Sequence, residues 1–239
     1  MTTLTHTIPS NEAARLAAVH RYEVLDTPAD GSFDRITRLA STLLDMPVAI
    51  VSIVDTDRIW FKSHHGLDAA QIDRDPGLCA SAILGGEPWI IENAEVDPRT
   101  MANPLVAAEN GVRFYAGVPL TTSDGFNLGT VCVLDTKPRT LAAGGVELLA
   151  DLAAIVMDEL ELRLAARTAK AQVDERARQA TELNDDVVQS LAVAKLALEL
   201  GNTAEGTRHI ESALTASRRI LDELSVDSVT LRRTAEVRI

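Results

Sequence analysis

Aromatic side chains are only 3% of the 239 residues. Any interior must therefore be filled by Leu, Val, Ile and Ala rather than by rings. Cysteine is as scarce: Cys79 and Cys132 stand far apart with no CxxC spacing. They are expected as two reduced thiols of a cytosolic protein. No apolar run reaches the roughly 18 residues needed to span a bilayer. No basic segment followed by an apolar run opens the chain, so no signal peptide is visible. Positive charge is in deficit, and the formal net charge is −12. That balance argues against nonspecific nucleic-acid binding and against docking to an anionic membrane. What remains, 46% hydrophobic and 24% charged, is a globular composition. The length suits one large or two modest domains.

Read in order, residues 1–10 form a Thr-rich arm without periodicity, expected to be flexible. Asn11 is a suitable N-cap for a helix over Glu12–Leu25, which Asp26-Thr27-Pro28 stops. A second helix over Phe33–Leu44 carries the stripe Phe33, Ile36, Leu39, Ala40 and Leu43. The β-branched run Val48–Asp55 predicts a buried strand, and Ile59–Ser63 its hairpin partner. A polar loop follows, then a short helix over Leu78–Leu84 and a brief strand at Trp89–Ile91. Leu105–Glu109 predicts one or two helical turns. Arg113–Leu120 and Asn127–Leu134 predict two strands joined by a turn at Asp124-Gly125.

The motifs Phe33-Asp34-Arg35-Ile36-Thr37, Trp60-Phe61-Lys62-Ser63, Asp97-Pro98-Arg99, Arg113-Phe114-Tyr115-Ala116-Gly117-Val118-Pro119-Leu120 and Leu128-Gly129-Thr130-Val131-Cys132-Val133-Leu134-Asp135 occur in that order. Together they resemble a GAF domain over residues 11–164. The resemblance implies an α+β fold: an antiparallel sheet with a helical layer on one face and a small-molecule pocket on the other. It places Ile59, Phe61, Cys79, Ile83, Phe114, Tyr115 and Cys132 as the candidate pocket lining. The Asn-Lys-x-x-x-Phe-x-x-x-Asp-Glu pattern of cyclic-nucleotide-binding members is missing, as is the Cys-His pair of bilin-binding members. No cofactor is required by the sequence. If Cys79 and Cys132 approach each other, a redox module is the alternative reading.

From Leu141 the pattern turns helical. One long helix is expected over about Gly145–Leu200, with a polar linker across residues 165–180. Gly201-Asn202 ends it, and Thr203–Ser225 returns with Ile210, Leu214, Ser217, Leu221 and Leu224 in heptad steps. Leu183, Val187, Leu191, Ala194 and Leu198 form the facing stripe. A lone hairpin cannot cover two stripes, so residues 181–225 predict a homodimeric four-helix bundle. Residues 226–239 are expected as a frayed tail.

Asn184-Asp185-Asp186-Val187-Val188-Gln189 resembles the dimerisation helix of sensor histidine kinases, where the pattern is His-Asp-x-x-x-Gln. Asn184 occupies the phosphoacceptor position, and an amide nitrogen does not accept a phosphoryl group there. Asp185 and Gln189, four apart, share a helix face. The resemblance implies for them the general base and the residue that orients water during dephosphorylation of a response regulator. No ATP-binding domain is expected after Ser225. The sequence thus points to a non-catalytic cytoplasmic sensor or adaptor whose partners are a histidine kinase or response regulator. A response-regulator phosphatase using Asp185 and Gln189 is the alternative. No metal site is expected: His64 and His65 are adjacent on a strand and point to opposite faces. Asp55, Asp57, Asp73 and Asp75 are expected to pair with Arg58 and Arg74.

Overall fold

The computed structural model describes residues 8–236, with side chains as far as Arg219 except Leu183. The arm expected over residues 1–10 lies mostly outside them. Two compact units meet at Ala165 and Ala166.

The first unit is built on a six-stranded antiparallel sheet in the order β3-β2-β1-β6-β5-β4. Its strands are β1 (Val48–Val54), β2 (Arg58–His65), β3 (Gln71–Asp73), β4 (Trp89–Ile91), β5 (Phe114–Thr121) and β6 (Asn127–Asp135). The helices are α1 (Glu12–Arg21), α2 (Gly31–Leu44), the short α3 (Leu78–Ala82) and α4 (Pro104–Ala107), and the first turns of α5 (Gly145–Glu199). The strands β1, β5 and β6 are almost wholly buried. That fits a sheet covered on both faces and explains their continuous apolar runs.

Successive side chains in a strand point to opposite faces, and the sheet sorts its core into two clusters. On one face Phe114, Ala116, Val118, Val131 and Val133 pack with Val19 of α1, Phe33 and Ile36 of α2, and Leu149, Leu152, Val156 and Leu160 of α5. On the other, Ile50, Ile59, Phe61, Tyr115 and Cys132 pack with Leu78, Cys79 and Ile83. α1 is tied down by Arg15, which is 1% exposed. Its guanidinium donates to both Glu12 oxygens at 2.8 Å and to the Val54 carbonyl at 2.8 Å. A buried arginine is tolerated when its charge is matched and its donors are used.

Several elements depart from expectation. α1 stops at Arg21, because Glu23 and Asp26 adopt positive φ. The Asn11 side chain makes no capping bond. α2 begins earlier, capped by Asp30, whose carboxylate accepts from Ser32 N at 3.1 Å. Leu39 and Leu43 of its stripe are exposed, and the polar Thr37 and Ser41 are buried in their place, Thr37 bonded to the Ser63 hydroxyl and Ser41 donating to the Met46 carbonyl.

The second unit contains the rest of α5 and α6 (Thr203–Glu236), which runs past Ser225. α5 leaves its last turn through a Schellman cap. Asn202 N donates to Ala197 O at 2.8 Å and Gly201 N to Leu198 O at 3.0 Å, with Gly201 at φ 79. Asn202 then accepts from Glu205 N at 3.2 Å and starts α6. Among the described side chains of the hairpin, Ala194, Ala197, Gly206 and Ala213 are the buried ones. Small side chains let the two helices approach closely. The larger stripe residues Leu191, Leu198, Ile210 and Leu214 remain exposed. Residues 165–182 are exposed on every side.

Candidate functional site

Six of the seven residues expected to line a pocket come together on one face of the sheet. Ile59, Phe61, Cys79, Ile83, Tyr115 and Cys132 belong to one cluster, none more than 5% exposed. Phe114 does not join them. It lies in the cluster on the opposite face, as it must, since it precedes Tyr115 in β5 and neighbours in a strand alternate.

Within that apolar face sits a small polar knot. The Cys79 and Cys132 sulfurs are 3.8 Å apart. The Tyr115 hydroxyl donates to Cys79 Sγ at 3.5 Å. Beside them Ser52 Oγ and Thr130 Oγ1 are 3.0 Å apart. The placement follows from register. Ile50 faces Cys132 and Ser52 faces Thr130 across β1 and β6, while Gly117 of β5 faces Cys132 on its other side. Gly117 is what lets Tyr115 reach the sulfurs. A Cβ there would stand 2.4 Å from the Tyr115 hydroxyl oxygen, so the ring lies in the space a side chain would take. Trp89 of β4 meets the same ring edge-on, with centroids 5.4 Å apart. α3 delivers Cys79, and Asn127 holds the end of that helix by donating to Ile83 O and Gly85 O at 2.9 and 2.7 Å.

The pair shares its protons unequally. The contact with Cys132 favours a charged Cys79 and outweighs burial; with the Thr130, Tyr115 and Ser52 hydroxyls close by, Cys79 comes down to about 6. Cys132 is pushed well up, by its bond to Cys79 and by burial. Burial and the neighbouring sulfurs also raise Tyr115. One thiolate held by a thiol and a phenol is the state this geometry favours.

Asn184, Asp185 and Gln189 are all exposed on α5. Gln189 lines a groove of about 630 Å³ between the two helices, with Asp186, Ser190, Ser212, Thr215, Ala216 and Arg219. Asn184 and Asp185 are not among its walls. The groove was not foreseen, because the register between α5 and α6 is set by the small residues at their crossing rather than by the leucine stripe.

His64 and His65 are exposed at the end of β2. Asp55 pairs with Arg58 at 3.4 Å as expected, and Arg74 bonds to Glu12. Among the described residues no group of three or more His, Cys, Asp or Glu is placed to hold a metal ion. No described helix is long and apolar enough to cross a membrane.

A six-stranded antiparallel sheet with α1, α2 and the start of α5 on one face and α3 on the other defines the class as an α+β fold. The GAF domain family matches residues 28–160, and the chain belongs to that family. It is 41% identical over 150 residues to the cyclic di-GMP phosphodiesterase PA2567 of Pseudomonas aeruginosa. That match covers 62% of this chain and 26% of the relative, so the chain spans about a quarter of the relative's length. Among solved structures it is similar to the free methionine-R-sulfoxide reductase of Neisseria meningitidis, with 20% identity and a TM-score of 0.47 over 70% of this chain and 99% of that one. It is also similar to the GAF domain of the Acinetobacter phosphoenolpyruvate-protein phosphotransferase, with 18% identity and a TM-score of 0.47 over 68% and 97%.

Proposed function

We propose that the chain is a non-catalytic cytoplasmic signalling module. Its GAF domain senses a small molecule or a partner protein, and a homodimeric hairpin of α5 and α6 docks a histidine kinase or a response regulator. The observation that carries this reading is the uncovered stripe on the hairpin: Leu191, Leu198, Ile210 and Leu214 are 48, 45, 37 and 54% exposed. A stripe of large apolar side chains left outside a helix pair is the surface a second hairpin covers. The relative's name adds a second line of support, since a matching segment sits within a cyclic di-GMP phosphodiesterase. A regulatory role for the shared segment suits both chains, and the relative's own activity is not part of this proposal.

A response-regulator phosphatase is the second reading. It needs Gln189 in solvent, and Gln189 is exposed in a groove with Arg219. Both readings meet one assay: loss of phosphate from phosphorylated response regulators of the same genome, with Gln189→Ala as control. Unchanged phosphate lifetimes together with stable binding are the expected result and support the docking module. Faster loss that disappears in Gln189→Ala makes the protein an enzyme.

A further inference from the structure

Two cysteines can be buried merely as small apolar side chains. These two have surroundings that space-filling does not require. In a cluster otherwise built from Ile, Leu, Val, Ala and Phe, three hydroxyls gather round the sulfurs: Tyr115 bonds Cys79 directly, and Thr130 and Ser52 bond each other beside the pair. The sulfurs stand 3.8 Å apart, against about 2.05 Å in a disulfide. Cys132 is fixed in the middle of β6, hydrogen-bonded between β1 and β5. Cys79 rides on a helix of five residues. The turn after α3 is open to solvent: Leu84 to Glu87 are exposed, and Gly85 and Gly86 have open space where a Cβ would stand, with Asn127 tethering the turn to β6 at Ile83 O and Gly85 O. A movement of α3 toward the sheet by less than about 2 Å brings the sulfurs to bonding distance.

We propose that Cys79 and Cys132 form a reversible dithiol–disulfide site whose oxidant is hydrogen peroxide, with Cys79 as the attacking sulfur and Cys132 as the resolving one. The Cys79 thiolate attacks one peroxide oxygen and the O–O bond breaks. The departing hydroxide takes up the proton that Cys79 has released, leaving Cys79 sulfenic acid and water. The Cys132 sulfur then attacks Cys79 Sγ. An S–S bond forms, the S–O bond breaks, and the second hydroxide leaves as water with the Cys132 proton. In sum, two thiols and one peroxide give one disulfide and two waters, and a small dithiol returns the pair by exchange. Burial of both sulfurs selects a compact, uncharged oxidant. The order of attack follows from the Tyr115 hydroxyl, which donates to Cys79 Sγ at 3.5 Å and steadies a thiolate there. The oxidised state has a route to the helical face. Val131 and Val133, on either side of Cys132, pack in the cluster that contains Leu149, Leu152 and Val156 of α5.

The site is independent of the docking and phosphatase readings and is tested without a partner. The full chain is titrated with hydrogen peroxide, and intact mass and proteolytic peptides are read after alkylation under denaturing conditions. Both thiols are expected to disappear together, with the loss of two hydrogens per chain and a Cys79–Cys132 peptide that a dithiol releases. Cys132→Ser is expected to stop at a sulfenic acid trapped by a cyclic 1,3-dione. Cys79→Ser is expected to lose its remaining thiol at least about tenfold more slowly. Oxygen addition to the two sulfurs without cross-linking overturns the proposal. So does a disulfide found only between chains, or a native chain inert at peroxide levels that oxidise it once unfolded. If a serine variant fails to fold, the wild-type mass and peptide map decide alone.

Discussion

Asp30 shows how much a single carboxylate can organise. It caps α2 through Ser32 N, meets Lys62 Nζ of β2 at 3.0 Å and meets Arg163 of α5 at 2.9 Å. The two cations also lie against the Phe33 ring, at 5.3 and 4.9 Å from its centroid. Partial burial disfavours the charge, but the hydrogen bonds from Arg163 and Lys62 outweigh it and hold Asp30 at about 2, down from 3.8. Glu12 is held at about 2 in the same way: burial is overcome by Arg15 and Arg74. In the unfolded chain both carboxylates take up protons near pH 4, and in the folded chain near pH 2. Between those values the unfolded state binds more protons, so stability is full above about pH 5 and is lost as pH falls toward 2. The Asp30 side chain is 29% exposed, and solvent screening reduces its share to about 1–2 kcal/mol. Asp30→Asn is therefore expected to lower stability by about that amount at pH 7 and to converge with the wild type near pH 2. Urea unfolding across that range, followed on the first unit's tryptophans, checks it; a constant gap at all pH values counts against the pairing. The sequence placed most of the site at this scale and erred where it ignored alternation. Tyr115 and Cys132 were found from their motifs, but Phe114 was assigned to the same face as its neighbour, which a strand forbids. Asp30 was missed as a cap because Gly31 and Ser32 break the apolar stripe that marked the helix only from Phe33.

Among the elements, those with a strong period or a β-branched run were legible. β1, β4 and β6 and the start of α5 lie within a residue of expectation. β3 was not. Gln71-Ile72-Asp73 offers one apolar residue and no alternation, and it becomes a strand only because β2 presents an edge to pair with. The packing inside the hairpin was equally hidden. Leucine steps predicted the seam, yet Leu191, Leu198, Ile210 and Leu214 stay exposed and Ala194, Ala197, Gly206 and Ala213 are buried between α5 and α6; alanines carry little signal in a helix that is rich in them. The turn itself was readable from Gly201-Asn202. Gly201 has φ 79 and open space at its Cβ position, so a substitution there meets backbone strain and nothing else. Gly201→Ala is expected to destabilise the hairpin by about 1 kcal/mol, read as a lower denaturation midpoint in helical circular dichroism. No change, or a loss far larger than this, removes the left-handed cap from the account of the reversal.

For the whole molecule, the open question is what covers the apolar side chains that each chain leaves in water. Val188, Leu191, Leu196, Leu198 and Leu214 are each at least 45% exposed on the hairpin. Residues 165–182 of the same helix, by contrast, expose a mainly polar surface, in which Val173 is the one large apolar side chain. The contrast locates the sticky surface in the hairpin and not in the linker. Burying a leucine is worth roughly 1.5–3 kcal/mol, so a few such residues from each of two chains suffice for association at micromolar concentration. Light scattering of the purified chain is expected to give a dimer. Leu191→Glu with Leu214→Glu is expected to convert it to a monomer, because each glutamate brings a charge into the interface that finds no partner there. The sheet unit should keep its own unfolding transition in that variant, which separates a lost interface from a lost fold. A wild-type monomer at this concentration overturns the dimer, and with it the docking surface that the dimer would build. A double variant that stays dimeric moves the interface elsewhere, with the exposed Leu39 and Leu43 of α2 as the next pair to charge.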